Sequence, residues 1–251
     1  MPKAPQPAGT IRVMRRFPVK GMAGEKLGEI FVSFAGLIGD RVYAYFDPQS
    51  KTDFPWMTPR IWAKMLLLKP KFVEPAVAHA DRPSPKNYRV EITTPKGSVF
   101  DIGDQNLLKY MEQQFGRPVI LRFSERCMHD ARPISIFGHK TLEALSTEIG
   151  IKLDAQRFRM NFEIDWTKGG AFFENELIGK HIRIGDTVTL YVSKKDVRCK
   201  VIGLDPDTAE SSPEVLQVVA DKHQGSVGIY ATVLREGIVR RGDPVFIDEP
   251  S

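Results

Sequence analysis

Short apolar runs, each cut off by Gly, Pro or Asp, dominate the chain and predict a mainly β fold of the α+β class. Ile11 and Val13 lead into Phe17. Runs at Ile30–Phe34 and Val42–Phe46, and at Tyr88–Ile92, Val99–Ile102 and Val119–Phe123, read as further strands. Phe158, Met160, Phe162 and Ile164 alternate with Arg157, Arg159, Asn161 and Glu163, which predicts one strand with an apolar and a polar face. Ile182–Leu190 and Ile238–Phe246 repeat a strand, Gly-Asp turn, strand pattern that suits a small closed barrel. Three stretches switch to helical spacing. Asp104 can cap a helix burying Leu107, Leu108, Met111 and Phe115. His139–Ile149 carries Leu142, Leu145 and Ile149 on one face and stops at Gly150, and a third helix starts at Pro213 and runs to His223. The Pro- and Lys-rich stretch Pro75–Asn87 reads as an exposed loop, and the first seven residues as a frayed tail. A boundary between two β-rich units falls near residues 116–133.

Composition narrows the classes. With 251 residues there is length for a large core, in one domain or two. No apolar run reaches the ~20 residues of a membrane helix, and the Met-Pro-Lys start has no apolar signal segment. The expectation is a cytoplasmic protein with no membrane anchor. A net charge of +5 spread along the chain permits an anionic ligand, but without a dense basic run no nucleic acid is expected as partner. The two cysteines, Cys127 and Cys199, lie outside any C-x-x-C pair. The five histidines, His79, His129, His139, His181 and His223, show no i,i+4 pair. Single-cysteine chemistry, or none, is what remains.

Val197-Arg-Cys-Lys-Val201 reads as a strand. Cys199 on it is either a buried core thiol or a thiolate beside basic residues that lower its pKa. Arg157, Arg159 and Asn161 are either a solvated barrel exterior or a phosphate-binding row, since the guanidinium offers a bidentate fork to phosphate oxygens. Lys20 in Phe17-Pro-Val-Lys-Gly21, Arg41 in Gly39-Asp-Arg, and Asp130-Ala131-Arg132-Pro133 are weak signals singly.

In order, these pieces resemble one family. Phe17-Pro-Val-Lys-Gly, Gly36-Leu-Ile-Gly-Asp-Arg41 and Met57-Thr-Pro-Arg60 resemble the β-barrel domain that precedes MOSC domains. Asp130-Ala-Arg-Pro133, Arg157-Phe-Arg-Met-Asn161, Phe173-Glu-Asn175, Ile182-Arg-Ile-Gly-Asp186, Arg198-Cys199 and Asp205-Pro-Asp-Thr208 resemble the MOSC domain itself. The resemblance implies an N-terminal β-barrel-like domain at 8–116 and a MOSC β-barrel at 117–251 with a few peripheral helices. It also implies a molybdenum cofactor (Mo-molybdopterin), with Cys199 as metal ligand and catalytic residue. Lys20, Gly21, Arg41, Asp130, Ala131, Arg132, Arg159, Asn161 and Cys199 would hold that cofactor. The layout is similar to the mitochondrial amidoxime-reducing component and its bacterial relatives. This implies reduction of a small-molecule substrate bearing an N-hydroxyl group, with electrons from a separate reductase. A sulfur carrier using a persulfide on Cys199, and a cofactor-binding module without turnover, are the alternatives. The sequence departs from its relatives at Gly21, where a hydroxyl residue is frequent, at Leu177, where an aromatic is common, and at Ala209, where Gly is usual.

Overall fold

A computed structural model describes residues 6–73 and 89–248. The loop expected at 75–87, with His79, the Tyr88 end of one expected strand, and residues 1–5 of the tail lie outside the described residues.

The chain opens with β1 (Gly9–Arg16), β2 (Glu25–Leu27), β3 (Glu29–Ser33), β4 (Gly36–Leu37) and β5 (Tyr43–Phe46). Three strands follow: β6 (Lys69–Phe72), β7 (Val90–Thr93) and β8 (Val99–Asp101). Helix α1 (Gln105–Phe115) then leads to β9 (Ile120–Phe123) and β10 (Ile134–Gly138). Beyond α2 (His139–Ile149) come β11 (Phe162–Trp166), β12 (His181–Ile184) and β13 (Val188–Val197). Helix α3 (Glu214–His223) and strands β14 (Ser226–Arg235), β15 (Gly237–Arg240) and β16 (Pro244–Asp248) complete it.

The three helices stand where their patterns place them. The Asp104 carboxylate accepts from the Asn106 N–H at 2.7 Å, and Gly116 and Gly150 close α1 and α2 in the left-handed conformation. None of the described helices is long and apolar enough to cross a membrane.

The strands form a closed seven-stranded barrel in the order β11-β10-β14-β13-β12-β16-β1, sealed by antiparallel pairing of β1 with β11. Alternation along each strand sends one set of side chains inward. Ile11, Met14, Ile136, Phe162, Ile164, Ile182, Leu190, Val192, Ile229 and Val245 meet there, fully buried. Smaller sheets, β15-β3-β4, β5-β9 and β6-β7-β8, build around the barrel. Hydrogen-bonded ladders cross between segments 8–116 and 117–251. Besides β1 on β11 and β16, β5 pairs β9 and β3 pairs β15.

Three local expectations are corrected. Residues 157–161 are not a strand. The Asp154 carboxylate accepts from the Gln156 N–H at 2.7 Å and winds residues 155–158 into a 3-10 turn, which Arg159 closes at φ 55°. Only β11 survives of the alternating run. Ile238–Phe246 is not a hairpin, because β15 pairs β3 while β16 pairs β12 and β1, so the chain passes from one sheet to the barrel at Gly242. Val197–Val201 is a strand only to Val197. Cys199 opens a 3-10 turn over Lys200–Gly203, and the Ile202 N–H donates to its carbonyl at 3.2 Å.

Candidate functional site

A cleft lies where the two halves of the chain meet. The N-terminal half contributes Lys20, Gly21, Arg41 and the loop residues Phe54 and Thr58–Arg60. The C-terminal half contributes Asp130, Ser135, Phe158, Arg159, the Asp196–Cys199 strand end, Val201, Ile202 and Tyr230. Its cavity volume is about 130 Å³, below the ~300–1,000 Å³ usual for ligand clefts.

Tertiary contacts fix each cationic side chain. Lys20 is placed by its own N–H, which donates to the Tyr43 carbonyl at 2.8 Å. Its buried ammonium donates to the Met128 carbonyl at 2.8 Å and to Asp130 at 2.5 Å. Burial pulls the Lys20 pKa below its ordinary value, with Asp130 opposing and Arg41 and Arg159 adding to the fall. Desolvation pushes Asp130 upward, yet Lys20, Arg41 and Arg60 together hold its carboxyl below the usual carboxylate range. Arg41 and Arg159 both sit at positive φ, 52° and 55°, a conformation bulky side chains rarely adopt. The Arg41 guanidinium pairs with the fully buried Asp40 and donates to the Arg159 carbonyl at 3.0 Å. Both guanidinium groups lie against the Phe17 ring, at 4.6 and 4.4 Å.

Arg159 differs from its neighbours. Lys20 has Asp130, Arg41 has Asp40 and Arg198 has Asp196, whereas no carboxylate among the described residues pairs with Arg159. Its Nη1 donates to the Met22 carbonyl at 2.7 Å, and its buried Nη2 has no partner. Burial, then the Arg41 charge beside it, pushes its pKa down to about 9. A buried donor without an acceptor costs roughly 1–3 kcal/mol, more when charged, a cost that an acceptor brought into the cleft would relieve.

At the far wall, Arg198 pairs with Asp196 and donates to the Phe158 carbonyl at 2.6 Å. Burial raises the Asp196 pKa and that of Tyr230, whose hydroxyl hydrogen-bonds to Asp196. Cys199 is half-buried at the cleft, on the residue where β13 gives way to the turn.

The structure brings Lys20, Gly21, Arg41, Asp130, Arg159 and Cys199 to one cleft. Other expected members stand apart. Asn161 is buried beneath it, its carboxamide taken by Ser135, by the Arg15 carbonyl at 3.2 Å and by Asp40 at 3.1 Å. Arg132 is exposed and donates to the Ala131 carbonyl at 3.3 Å, and neither residue lines the cleft. Arg157, of the same candidate row, faces away and pairs with Asp205 at 2.9 Å. Phe54, Asp196 and Tyr230 line the cleft without having been singled out, and so does Arg60, which closed a family motif but was given no role there. No local spacing marks them, since they arrive through long-range strand pairing and a loop. Gly21 has a physical reason: its φ is 87°, where a residue with a side chain is strained, and a Cβ there would crowd Met65 Sδ at 2.9 Å and Pro59 Cδ at 3.1 Å. Cys127 lies in another place, its thiol pushed up to about 12 by burial and Asp40.

Comparison with known proteins adds a family. No curated protein matches the chain. The fold is similar to that of the YUAD protein of Bacillus subtilis (14% identity, TM-score 0.50, 97% of each chain covered). The overlay on YiiM of Geobacillus stearothermophilus takes in 47% of this chain and 54% of that one, at 18% identity and TM-score 0.37. Escherichia coli YiiM overlays 48% of this chain and 56% of its own, at 16% identity and TM-score 0.35. Residues 124–246, which run from the Asp130 side of the cleft through Arg159, Cys199 and Tyr230 to the last strand, match the model of the MOSC domain. This chain is a MOSC-domain protein.

Proposed function

We propose that the cleft binds the molybdenum cofactor and that the protein reduces N-hydroxylated small molecules there, with electrons from a separate reductase. MOSC domains are linked to this cofactor in general. The observation that carries the reading is Arg159, a buried guanidinium with an unpartnered Nη2 and no carboxylate of its own, in the same cleft as Cys199.

The residues fit such a group. Arg159, with Lys20 and Arg41 beside it, would take the cofactor's phosphate, and an anion there would satisfy Nη2 and restore the depressed Arg159 pKa. Cys199 would supply one soft thiolate to the metal. No group of three His, Cys, Asp or Glu gathers among the described residues, so a metal here must bring its other ligands with it, as the dithiolene of molybdopterin does. When bound, the cofactor would supply the two-electron redox chemistry that oxygen removal from the substrate needs. The chain's own part is to orient it, exclude water with the buried Phe158, and keep a proton on the Tyr230 hydroxyl beside Asp196.

Cys199→Ser tests this in protein made by a host that produces the cofactor. A hydroxyl is a harder and far less acidic ligand, while the swap is nearly isosteric. The expected result is loss of benzamidoxime reduction with a chemical electron donor and an unchanged thermal melt. Cys127→Ser keeps most activity. Full turnover by the Cys199 variant, or wild-type protein free of molybdenum, contradicts the reading. A thiol-labile sulfur adduct on Cys199 in metal-free protein would favour sulfur carriage instead.

A further inference from the structure

The mouth of the cleft carries a group that cofactor binding leaves unused. Loop residues 47–62 leave β5 and return by the Phe46–Trp56 bridge, and the Met57 N–H donates to the Tyr45 carbonyl at 2.8 Å. Trp62 anchors the loop's far end edge-on against Tyr110 and Phe115 of α1, with ring centroids 6.0 and 5.4 Å apart. On this braced loop Phe54 is 37% exposed, and the exposed Arg60 lays its guanidinium 4.6 Å from the Phe54 ring centroid. Among the described residues no carboxylate forms an ion pair with Arg60. Asp130 acts on it only at longer range and is itself held by Lys20. Val197, 75% exposed, and Val201 line the same cleft from the C-terminal half of the chain. The mouth thus joins a flat ring, two apolar side chains and a cation with free hydrogen-bond donors.

We propose that Phe54, Arg60 and Val197 form a substrate shelf that selects flat, apolar molecules carrying a carboxylate, with Arg60 as the specificity-determining residue. Such a molecule slides between the Phe54 ring and the Val197 side and gives its carboxylate to the planar fork of Arg60, which matches two carboxylate oxygens at once. The cation held over the ring is already oriented, so little freedom is lost on binding. Bare apolar molecules gain the ring contact alone. The deeper cations are engaged within the site: Lys20 with Asp130, Arg41 with Asp40, and Arg159 with the phosphate proposed above. The assignment of a substrate class rests on the proposed reductase function, but the shelf can be read without it.

The test pairs two measurements on wild type and Arg60→Ala, a change on an exposed loop residue. Calorimetric titration with benzoate and with uncharged benzamide reads the shelf directly. Wild type should bind benzoate roughly tenfold tighter, the scale of one charge-assisted contact, and Arg60→Ala should erase that preference. In molybdenum-loaded protein, two substrates are compared: benzamidoxime itself and benzamidoxime with a carboxylate para to the amidoxime. Arg60→Ala should raise KM several-fold for the carboxylated substrate, leaving KM for the plain one and the molybdenum content as they were. Equal binding of benzoate and benzamide by wild type overturns the shelf, as does a benzoate preference that survives in Arg60→Ala. Loss of molybdenum in Arg60→Ala also overturns it, because Arg60 would then hold cofactor. Wild-type protein free of molybdenum overturns the reductase reading alone, and the titrations, repeated in the Arg159→Ala background so that no deeper guanidinium is open to benzoate, still decide the shelf.

Discussion

Arginines carry the difference between framework and site. Arg157 and Arg159 are two residues apart, and both have buried nitrogens without partners, yet their surroundings divide their roles. Arg157 braces Asp205 and the turn it caps, whereas Arg159 turns into the cleft through its left-handed backbone. Arg159→Ala should therefore lower molybdenum content by about tenfold or more, since a charge-assisted contact is worth roughly 1.5–3 kcal/mol. Arg157→Ala should keep the metal and lose thermal stability. Elemental analysis beside a melting curve separates the two, and equal metal content in both variants would take Arg159 out of the pocket. Alternation alone places both residues on one candidate row, and only the family resemblance singles out Arg159; the row itself fails because the 3-10 turn set by Asp154 breaks the alternation on which it depends. Asn161 shows the opposite limit. Its place beside Arg159 in sequence suggests a ligand contact, and its side chain is spent joining β10, β1 and Asp40.

At the scale of elements, capped helices were legible and the connections between strands were not. Asp104 with Gly116, and Gly150 after Ile149, are local signals, and α1 and α2 end where those residues stand. The Gly-Asp turns at 185–186 and 242–243 look alike in sequence. The first joins paired strands, while the second delivers β15 and β16 to different partners, because strand pairing is settled by what lies across the fold. The turn at 205–210 was legible as an acidic loop, and the structure adds its cost. Asp205 accepts from the Asp207 and Thr208 N–H groups at 2.9 and 3.0 Å. The loop closes with the Ala209 N–H donating to the Asp205 carbonyl at 2.9 Å, Ala209 lying at φ 61°. A non-glycine residue in that conformation costs about 1–2 kcal/mol, and glycine loses part of this gain to its freer unfolded chain. Ala209→Gly is expected to stabilise the protein by about 0.5 kcal/mol in denaturant titration. A lower midpoint would mean that the Ala209 methyl contributes packing that outweighs its strain.

For the whole molecule, the barrel is a joint product of both ends of the chain. β1 lies between β16 and β11, with Ile11 opposite Ile164 and Met14 opposite Phe162. Without it two strands lose a neighbour and the apolar interior opens to water. Residues 117–251 expressed alone should therefore fail to fold, judged by dispersed amide resonances and a cooperative melt, and a separately supplied 8–116 segment should restore both. A cooperative melt from the short fragment by itself would show that the barrel closes without β1.

The same closure sets an order in time. β1 is the earliest of the described strands to leave the ribosome, and its partners in the barrel are made about 150 or more residues later. Pairing over such separations is slow, since loop closure precedes any reward. Until β11 and β16 exist, the edges of β1 that β2 does not cover stay open to other chains, a period in which chaperone protection matters. The cleft inherits this schedule. Lys20 and Arg41 are made early, Cys199 and Tyr230 late, so no ligand can find its complete site before Tyr230 has left the ribosome. Any cofactor must be loaded after that strand has joined the barrel.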